Sequence, residues 1–308
     1  MTLSHSSSQA FPAFELGVWT SVQLALVEQA LERWVAPEGQ VPPSLAEPMR
    51  YAVLDGGKRL RPLLALAASE AVGGAPQAAL RAACAVELIH AYSLVHDDMP
   101  CMDNDVLRRG KPTVHVRFGE AAALLAGDAL QSLAFELLTP DDGSVPLPMQ
   151  AQLCRMLAQA AGAQGMAGGQ AIDLSSVGRA LSSTDLHEMH RLKTGALLLG
   201  SVLMGAACGT PDARTLAALT DYGTSMGLAF QVVDDVLDVT ADSGTLGKTA
   251  GKDAANDKPT FVSLMGLREA QNYAQELLSQ ARASLRASGL SQTAALQALA
   301  DKLVNRLY

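Results

Sequence analysis

The segment His90–Thr113 reads HAYSLVHDDMPCMDNDVLRRGKPT, and it runs apolar almost up to a knot of acids, Asp97, Asp98, Asp103 and Asp105. Carboxylates this close repel one another and are costly to desolvate, so an apolar helix that ends on them calls for a positive partner. A second knot, DDVLD, sets Asp234, Asp235 and Asp238 inside the hydrophobic run GLAFQVVDDVLDV. On a helix, Asp234 and Asp238 share a face one turn apart, so oxygens from both can reach one hard cation. Asp97 and Asp103 are spaced differently. On a regular helix they would point about 120° apart. Pro100 lies between them, and a proline inside a helix removes a hydrogen bond and clashes with the preceding turn. The helix is therefore predicted to end or kink near Met99, folding Asp103 back towards Asp97. No run of lysines stands within a turn of either knot. Magnesium fits both, as a hard ion held by one or two carboxylates plus substrate phosphates and water; no EF-hand pattern supports calcium.

The rest of the chain sets these knots on helices. Of 308 residues, 49% are hydrophobic but only 4% aromatic, so the core must be built from Ala, Leu, Val and Met rather than from strand-forming residues. Apolar positions recur at helical spacing from Phe14 to Trp34, as Leu16, Val22, Leu24, Leu26, Val27, Leu31 and Trp34. Further helices are predicted over 44–54, 60–72, 76–99, 119–138, 147–167, 184–208, 212–240, 259–286 and 291–306, separated by Gly- and Pro-bearing breakers such as VGGAP and TPDDGSVPLP. No linker divides the chain. An all-α fold follows, a single large bundle of long, mostly antiparallel helices over 14–308, preceded by a serine-rich stretch, 1–13, that reads as disordered.

The longest apolar run, Thr194–Gly209, is shorter than a bilayer span and broken by glycines, so it reads as a buried core helix with no membrane span. The N-terminus lacks a basic region followed by an apolar one, and the cysteines Cys84, Cys101, Cys154 and Cys208 form no CxxC pair; both point to the cytoplasm. A net charge of −8 without a dominant basic patch argues against nucleic acid as a partner.

Basic residues sit in short separated motifs: Lys58, Arg59 and Arg61 in GGKRLRP; Arg108, Arg109 and Lys111 in LRRGKPT; Arg191 and Lys193 beside Thr194 in HRLKTG; Lys248, Lys252 and Lys258 in GKTAGKDAANDK. Together they offer several anchors for phosphate, arginine as a fork and lysine as a point charge. His90, seven residues before Asp97, lies on nearly the same helical stripe and faces the acids. SGTLGKT ends like a nucleotide-binding loop but lacks its glycine spacing and its strand. Magnesium, arginine and lysine with no nucleophile triad suggest diphosphate chemistry.

These motifs, DDMPCMDNDVLRRGKPT and DDVLD with GGKRLRP, HRLKTG and TLGKTAGKD, resemble the short-chain trans-polyprenyl diphosphate synthases, and most nearly the bacterial farnesyl diphosphate synthases, from about Phe14 onward. The resemblance implies a bundle around a deep apolar cavity, usually a homodimer. It implies magnesium-dependent, head-to-tail condensation of isopentenyl diphosphate with dimethylallyl and geranyl diphosphate, with three ions present once substrate is bound. Carried onto matching positions, Asp97, Asp103 and Asp234 bind magnesium, supported by Asp98, Asp235 and Asp238. Lys58, Arg61, His90 and Arg109 hold isopentenyl diphosphate, while Arg108, Lys193, Thr194, Gln231, Lys248 and Lys258 serve the allylic substrate. Gln170 and Asp173 in GGQAIDL match a further motif. A bulky residue at the Tyr92 position, beside Ser93, implies a floor that stops growth at fifteen carbons, with geranylgeranyl diphosphate as the alternative product. The glycines of the 242–258 segment suggest a lid. Asn104, Val106 and Val233 depart from residues common in the family without removing an inferred ligand. A non-catalytic homologue would be expected to lack the aspartates or the RRG arginines, and a terpene cyclase would not need Lys58, Arg61 and Arg109.

Overall fold

The computed structural model describes residues 14–54, 56–176, 181–240 and 260–305. The 1–13 stretch, the 242–258 segment and with it Lys248, Lys252 and Lys258 lie outside the described residues. In chain order the elements are α1 (Leu16–Trp34), α2 (Pro43–Val53), α3 (Leu60–Ala71), α4 (Pro76–Asp97), β1 (Leu107–Arg108), β2 (Lys111–Pro112), α5 (Val114–Phe118), α6 (Glu120–Leu138), α7 (Leu147–Ala161), α8 (Met166–Ser175), α9 (Ser183–His190), a π-turn (Arg191–Gly195), α10 (Ala196–Ala207), α11 (Ala213–Thr240), α12 (Phe261–Met265), α13 (Leu267–Ala287) and α14 (Ala294–Val304).

Helices α3 and α10 sit at the centre, apolar nearly all round and buried on both sides. A Cβ on Gly205 of α10 would fall 2.0 Å from the carbonyl oxygen of Ala65 on α3, so the two backbones touch only because glycine stands there. One apolar half of the core joins these two to α1, α2, α4, α6 and α7. The other joins them to α11, α13 and α14. The run 194–209 is thus the core helix its composition suggests.

Helices α4 and α6 are long and apolar enough to cross a bilayer by length and composition alone. They pack against each other, and 67% of the most apolar stretch of α4 is buried within the fold.

Several boundaries differ from those expected. The run 147–167 breaks at Gly162 and Gly165, where a Cβ would meet carbonyl oxygens of the preceding helix at 2.6 and 2.2 Å, and a separate α8 follows. The run 184–208 is three pieces joined through the π-turn. Gly266, at φ 84°, divides 259–286 into α12 and α13. Among the described residues the chain also makes a hairpin, β1–β2, too short to show a strand period.

Candidate active site

Helix α4 ends at Asp97, two residues before Met99, and the chain turns back on itself. The backbone N–H of Asp103 donates to the carbonyl of Asp97 at 2.9 Å; those of Met102 and Asn104 donate to Met99 at 2.9 and 3.1 Å. Asn104 completes the turn in the left-handed region, φ 51°, which asparagine tolerates. Pro100 thus breaks the helix as expected and brings Asp103 towards Asp97. Burial pushes the Asp97 carboxyl up to about 6, with Asp103 and Asp98 adding to the rise and Lys193 and Arg108 opposing it.

Asp98 has another employment. It is 2% exposed, and Arg108 donates to both of its oxygens, from Nε at 2.9 and 3.0 Å and from Nη2 at 2.6 Å. Without ligand, each is thus the other's hydrogen-bond partner. The hairpin aims Arg108. Its two-residue turn, Arg109–Gly110, has φ 53° and 75°, both positive as a type I′ turn demands. Arg109 reaches back to donate to the carbonyl of Gly56 at 2.5 Å, and a Cβ on Gly57 would lie 2.9 Å from its guanidinium.

The GGKRLRP loop therefore meets the hairpin. Lys58 is exposed there, while Arg61 is buried at the start of α3. Burial lowers Arg61 to about 10, opposed by Glu87 and Asp234, so this guanidinium lies within the field of the second acidic knot. His90 is held well below its ordinary value by burial and then by Arg61, Arg109, Arg108 and Arg59, so at neutral pH it offers an uncharged imidazole. A small cleft of about 60 Å³ opens beside the first knot, lined by His90, Asp98, Arg108 and Arg109 together with Tyr51, Leu94 and Val114.

The π-turn lies within reach of the first knot, through the charge of Lys193 on Asp97. π-turns widen a helix locally and are frequent at functional sites; this one carries Lys193 and Thr194. It packs tightly on both sides: a Cβ on Gly169 would sit 2.1 Å from the Lys193 nitrogen, and one on Gly227 would sit 2.8 Å from Gly195 Cα. Lys193 Nζ pairs with Asp173 Oδ2 at 2.5 Å. Thr194 Oγ1 donates to Gln231 Oε1 at 3.2 Å, Gln231 Nε2 donates to Asp235 Oδ1 at 2.8 Å, and the Phe261 backbone N–H donates to Asp235 Oδ2 at 2.8 Å. Asp235, 2% exposed, thus links the π-turn to α12. An ionised carboxylate only accepts, so Asp235 also decides which way the Gln231 amide points. Asp234 and Asp238 share a face of α11, Asp234 half-buried and Asp238 buried.

Among the described residues, Arg61 Nε, both amide atoms of Gln170 and both ring nitrogens of His190 are buried without a hydrogen-bond partner. No three histidine, cysteine, aspartate or glutamate side chains among the described residues converge closely enough to hold an ion unaided. That donor set, hard carboxylates from two separate helix ends, fits magnesium completed by phosphate oxygens. Tyr92 is half-buried with its ring edge on His96, centroids 5.7 Å apart, and the Ser93 hydroxyl turns back onto the carbonyl of His90 at 2.9 Å. Sequence reasoning assigned no role to Glu28, Glu87 or His190, although His190 opens the motif HRLKTG, and it grouped Arg59 with the phosphate anchors, whereas the structure buries it.

The profile of the family described as polyprenyl synthetase matches residues 42–297. A probable farnesyl diphosphate synthase of Sinorhizobium fredii is 51% identical over 269 residues, covering 86% of this chain and 80% of that protein. The farnesyl diphosphate synthase of Escherichia coli is 47% identical over 284 residues, covering 90% and 94%. The crystal structure of a geranyltransferase from Helicobacter pylori, complexed with magnesium and isoprenyl diphosphate, superposes with a TM-score of 0.83 at 35% identity, covering 97% of this chain and 99% of that one.

Proposed function

The chain belongs to the polyprenyl synthetase family, and we propose that it is a trans-prenyltransferase that condenses isopentenyl diphosphate with dimethylallyl and then geranyl diphosphate to give farnesyl diphosphate. One observation carries the reading. Acidic helix ends at Asp97–Asp103 and Asp234–Asp238 flank a group of buried or half-buried cations, with Lys193 acting on Asp97 and Arg61 on Asp234. That is a receptor for two diphosphates and the ions between them.

In the first step the allylic carbon–oxygen bond breaks and its electron pair leaves with the diphosphate. Magnesium, when bound by Asp97, Asp103, Asp234 and Asp238, supplies Lewis-acid stabilisation of that developing charge. Lys193, released from Asp173 when a phosphate competes for it, adds a fixed positive charge on the same side. Thr194 has its proton committed to Gln231, so it turns oxygen lone pairs, not a donor, to its remaining surroundings. In the second step the isopentenyl double bond supplies the electrons of the new carbon–carbon bond, and a proton then leaves to the departed diphosphate. Lys58, Arg61 and Arg109 hold the isopentenyl diphosphate, with neutral His90 as a hydrogen-bond donor. Apolar side chains must exclude water, which would quench the cation to an alcohol. Tyr92 closes the chain pocket at fifteen carbons; geranylgeranyl diphosphate would need that floor removed. With substrate bound, these carboxylates and the diphosphate oxygens would hold three magnesium ions. A cytoplasmic homodimer is the assembly proposed, and the exposed Leu124 and Leu125 on α6 supply an apolar face for it.

Incubation with magnesium, isopentenyl diphosphate and each allylic primer, followed by chromatography of the dephosphorylated products, tests the reading. A fifteen-carbon linear alcohol is expected. A cyclic hydrocarbon formed from one substrate, or no product, would overturn it.

A further inference from the structure

Between Lys58 and Arg61 stands Arg59, whose backbone is left-handed at φ 45°, an uncommon state for a residue with a Cβ. Its guanidinium is held on every nitrogen. Nε donates to Glu28 Oε1 at 2.7 Å, Nη1 to Glu87 Oε1 at 2.8 Å, and Nη2 to Glu28 Oε2 at 3.1 Å and the Val53 carbonyl at 2.6 Å. The side chains of Arg59 and Glu87 are 2% and 4% exposed, so this is a buried ion network. Its members come from α1, the end of α2 and the middle of α4, three elements far apart in sequence. A left-handed non-glycine residue persists only where its surroundings over-determine it, and such strain clusters at binding sites. Here the surroundings are these four hydrogen bonds. Arg59 points inward as the residue before α3, which leaves Lys58 exposed on the outer side and starts α3 so that Arg61 faces Asp234. Glu87 lies one turn before His90 on α4, so the same carboxylate that holds Arg59 also offsets Arg61 and borders the imidazole.

We propose that Arg59, clamped by Glu28 and Glu87, is a positioning residue for the isopentenyl diphosphate site: it holds Lys58 and Arg61 at the separation and direction a diphosphate requires, without touching the ligand. The proposal rests on the assignment of Lys58, Arg61, His90 and Arg109 to that substrate. Without the clamp the loop relaxes towards the right-handed or extended region. Lys58 and Arg61 then become two unlinked charges whose ordering must come from binding energy.

Isopentenyl diphosphate alone has no partner to react with, so its affinity can be measured directly by calorimetry on the full chain, beside the KM for each substrate. Three variants break the clamp: Glu87→Gln removes the buried charge, Arg59→Gly allows φ 45° without enforcing it, and Glu28→Gln changes the more exposed end should the others fold poorly. Each is expected to weaken isopentenyl diphosphate by about tenfold or more while leaving the allylic KM within about twofold, with Arg59→Lys intermediate because it keeps the charge but loses the fork. Lys58→Ala runs beside them. If it weakens isopentenyl diphosphate and the clamp variants do not, the clamp is structural only and the inference fails while the site assignment stands. Equal loss for both substrates in the clamp variants overturns the inference as well. If Lys58→Ala changes nothing, the site assignment fails and takes the inference with it.

Discussion

Arg108 and Asp98 grip each other through three contacts of 2.6 to 3.0 Å, with the carboxylate 3% exposed and the guanidinium 35%. The partners therefore differ in what happens when either is left alone. Arg108→Ala strands a buried carboxylate and is expected to cost about 3–5 kcal/mol of stability. Asp98→Ala lets the arginine swing out to water and should cost only about 1–2 kcal/mol. Urea unfolding of the metal-free protein measures both. Equal costs would mean that Arg108 has no route to solvent.

Asp97 predicts a pH dependence. Its folded value is about 6 against an ordinary 3.8, so the folded state holds this proton more tightly than the unfolded one. The contribution to stability is complete below pH 4, is lost as pH rises through 6, and is absent above it. Asp97→Asn should then stabilise the chelator-treated protein at pH 8 by roughly 2 kcal/mol and leave it unchanged at pH 4. A melting temperature that falls at pH 8 would contradict this. Magnesium binding must expel the same proton, so affinity for magnesium with diphosphate should drop by up to about tenfold per unit below pH 6.

Aspartates of the two knots should fail in different ways. Asp97→Ala and Asp234→Ala are each expected to lower turnover by about a thousandfold or more while the fold survives, since they remove charge that stabilises the leaving group. Asp235→Asn replaces one of two acceptor oxygens with an NH2 donor, so it can satisfy Gln231 or the Phe261 N–H but not both. It should lower the melting temperature and turnover but leave the magnesium concentration for half-maximal activity unchanged. A raised magnesium requirement in Asp235→Asn would instead place that residue among those acting on the metal.

Tyr92→Ala is expected to move the main product from fifteen to twenty carbons, because it opens about one large side chain of length in a packed interior. Product chromatography settles it. An unchanged chain length would reduce Tyr92 to packing between α4 and α6, where its ring already rests on His96.

Legibility in the sequence followed distance along the chain. Asp234 and Asp238 are four apart on one helix, and their shared face needed nothing beyond helical geometry. Pro100 sits inside the knot it bends, so the return of Asp103 to Asp97 could be anticipated as well. The internal hydrogen bonds of Asp98 and Asp235 could not be read from their motifs, which name side chains without their partners. Their partners, Arg108 and the N–H of Phe261, lie 10 and 26 residues away. The π-turn under Lys193 and Thr194 left no mark in the hydrophobic period, since it depends on contacts that Gly169 and Gly227 make from other helices.

The sequence by itself determined the helical class, the core helix after Thr194, the two acidic knots and the need for a divalent ion. Composition, helical period and charge density are local properties and survive without a fold. Only the tertiary structure decided which partners Asp98 and Asp235 take inside the fold, and that Arg59 is gripped from α1 and α4, 31 and 28 residues away. A buried charge takes whichever partner the packing brings within hydrogen-bond distance, and that choice is made by helices meeting in space rather than by their order in the chain.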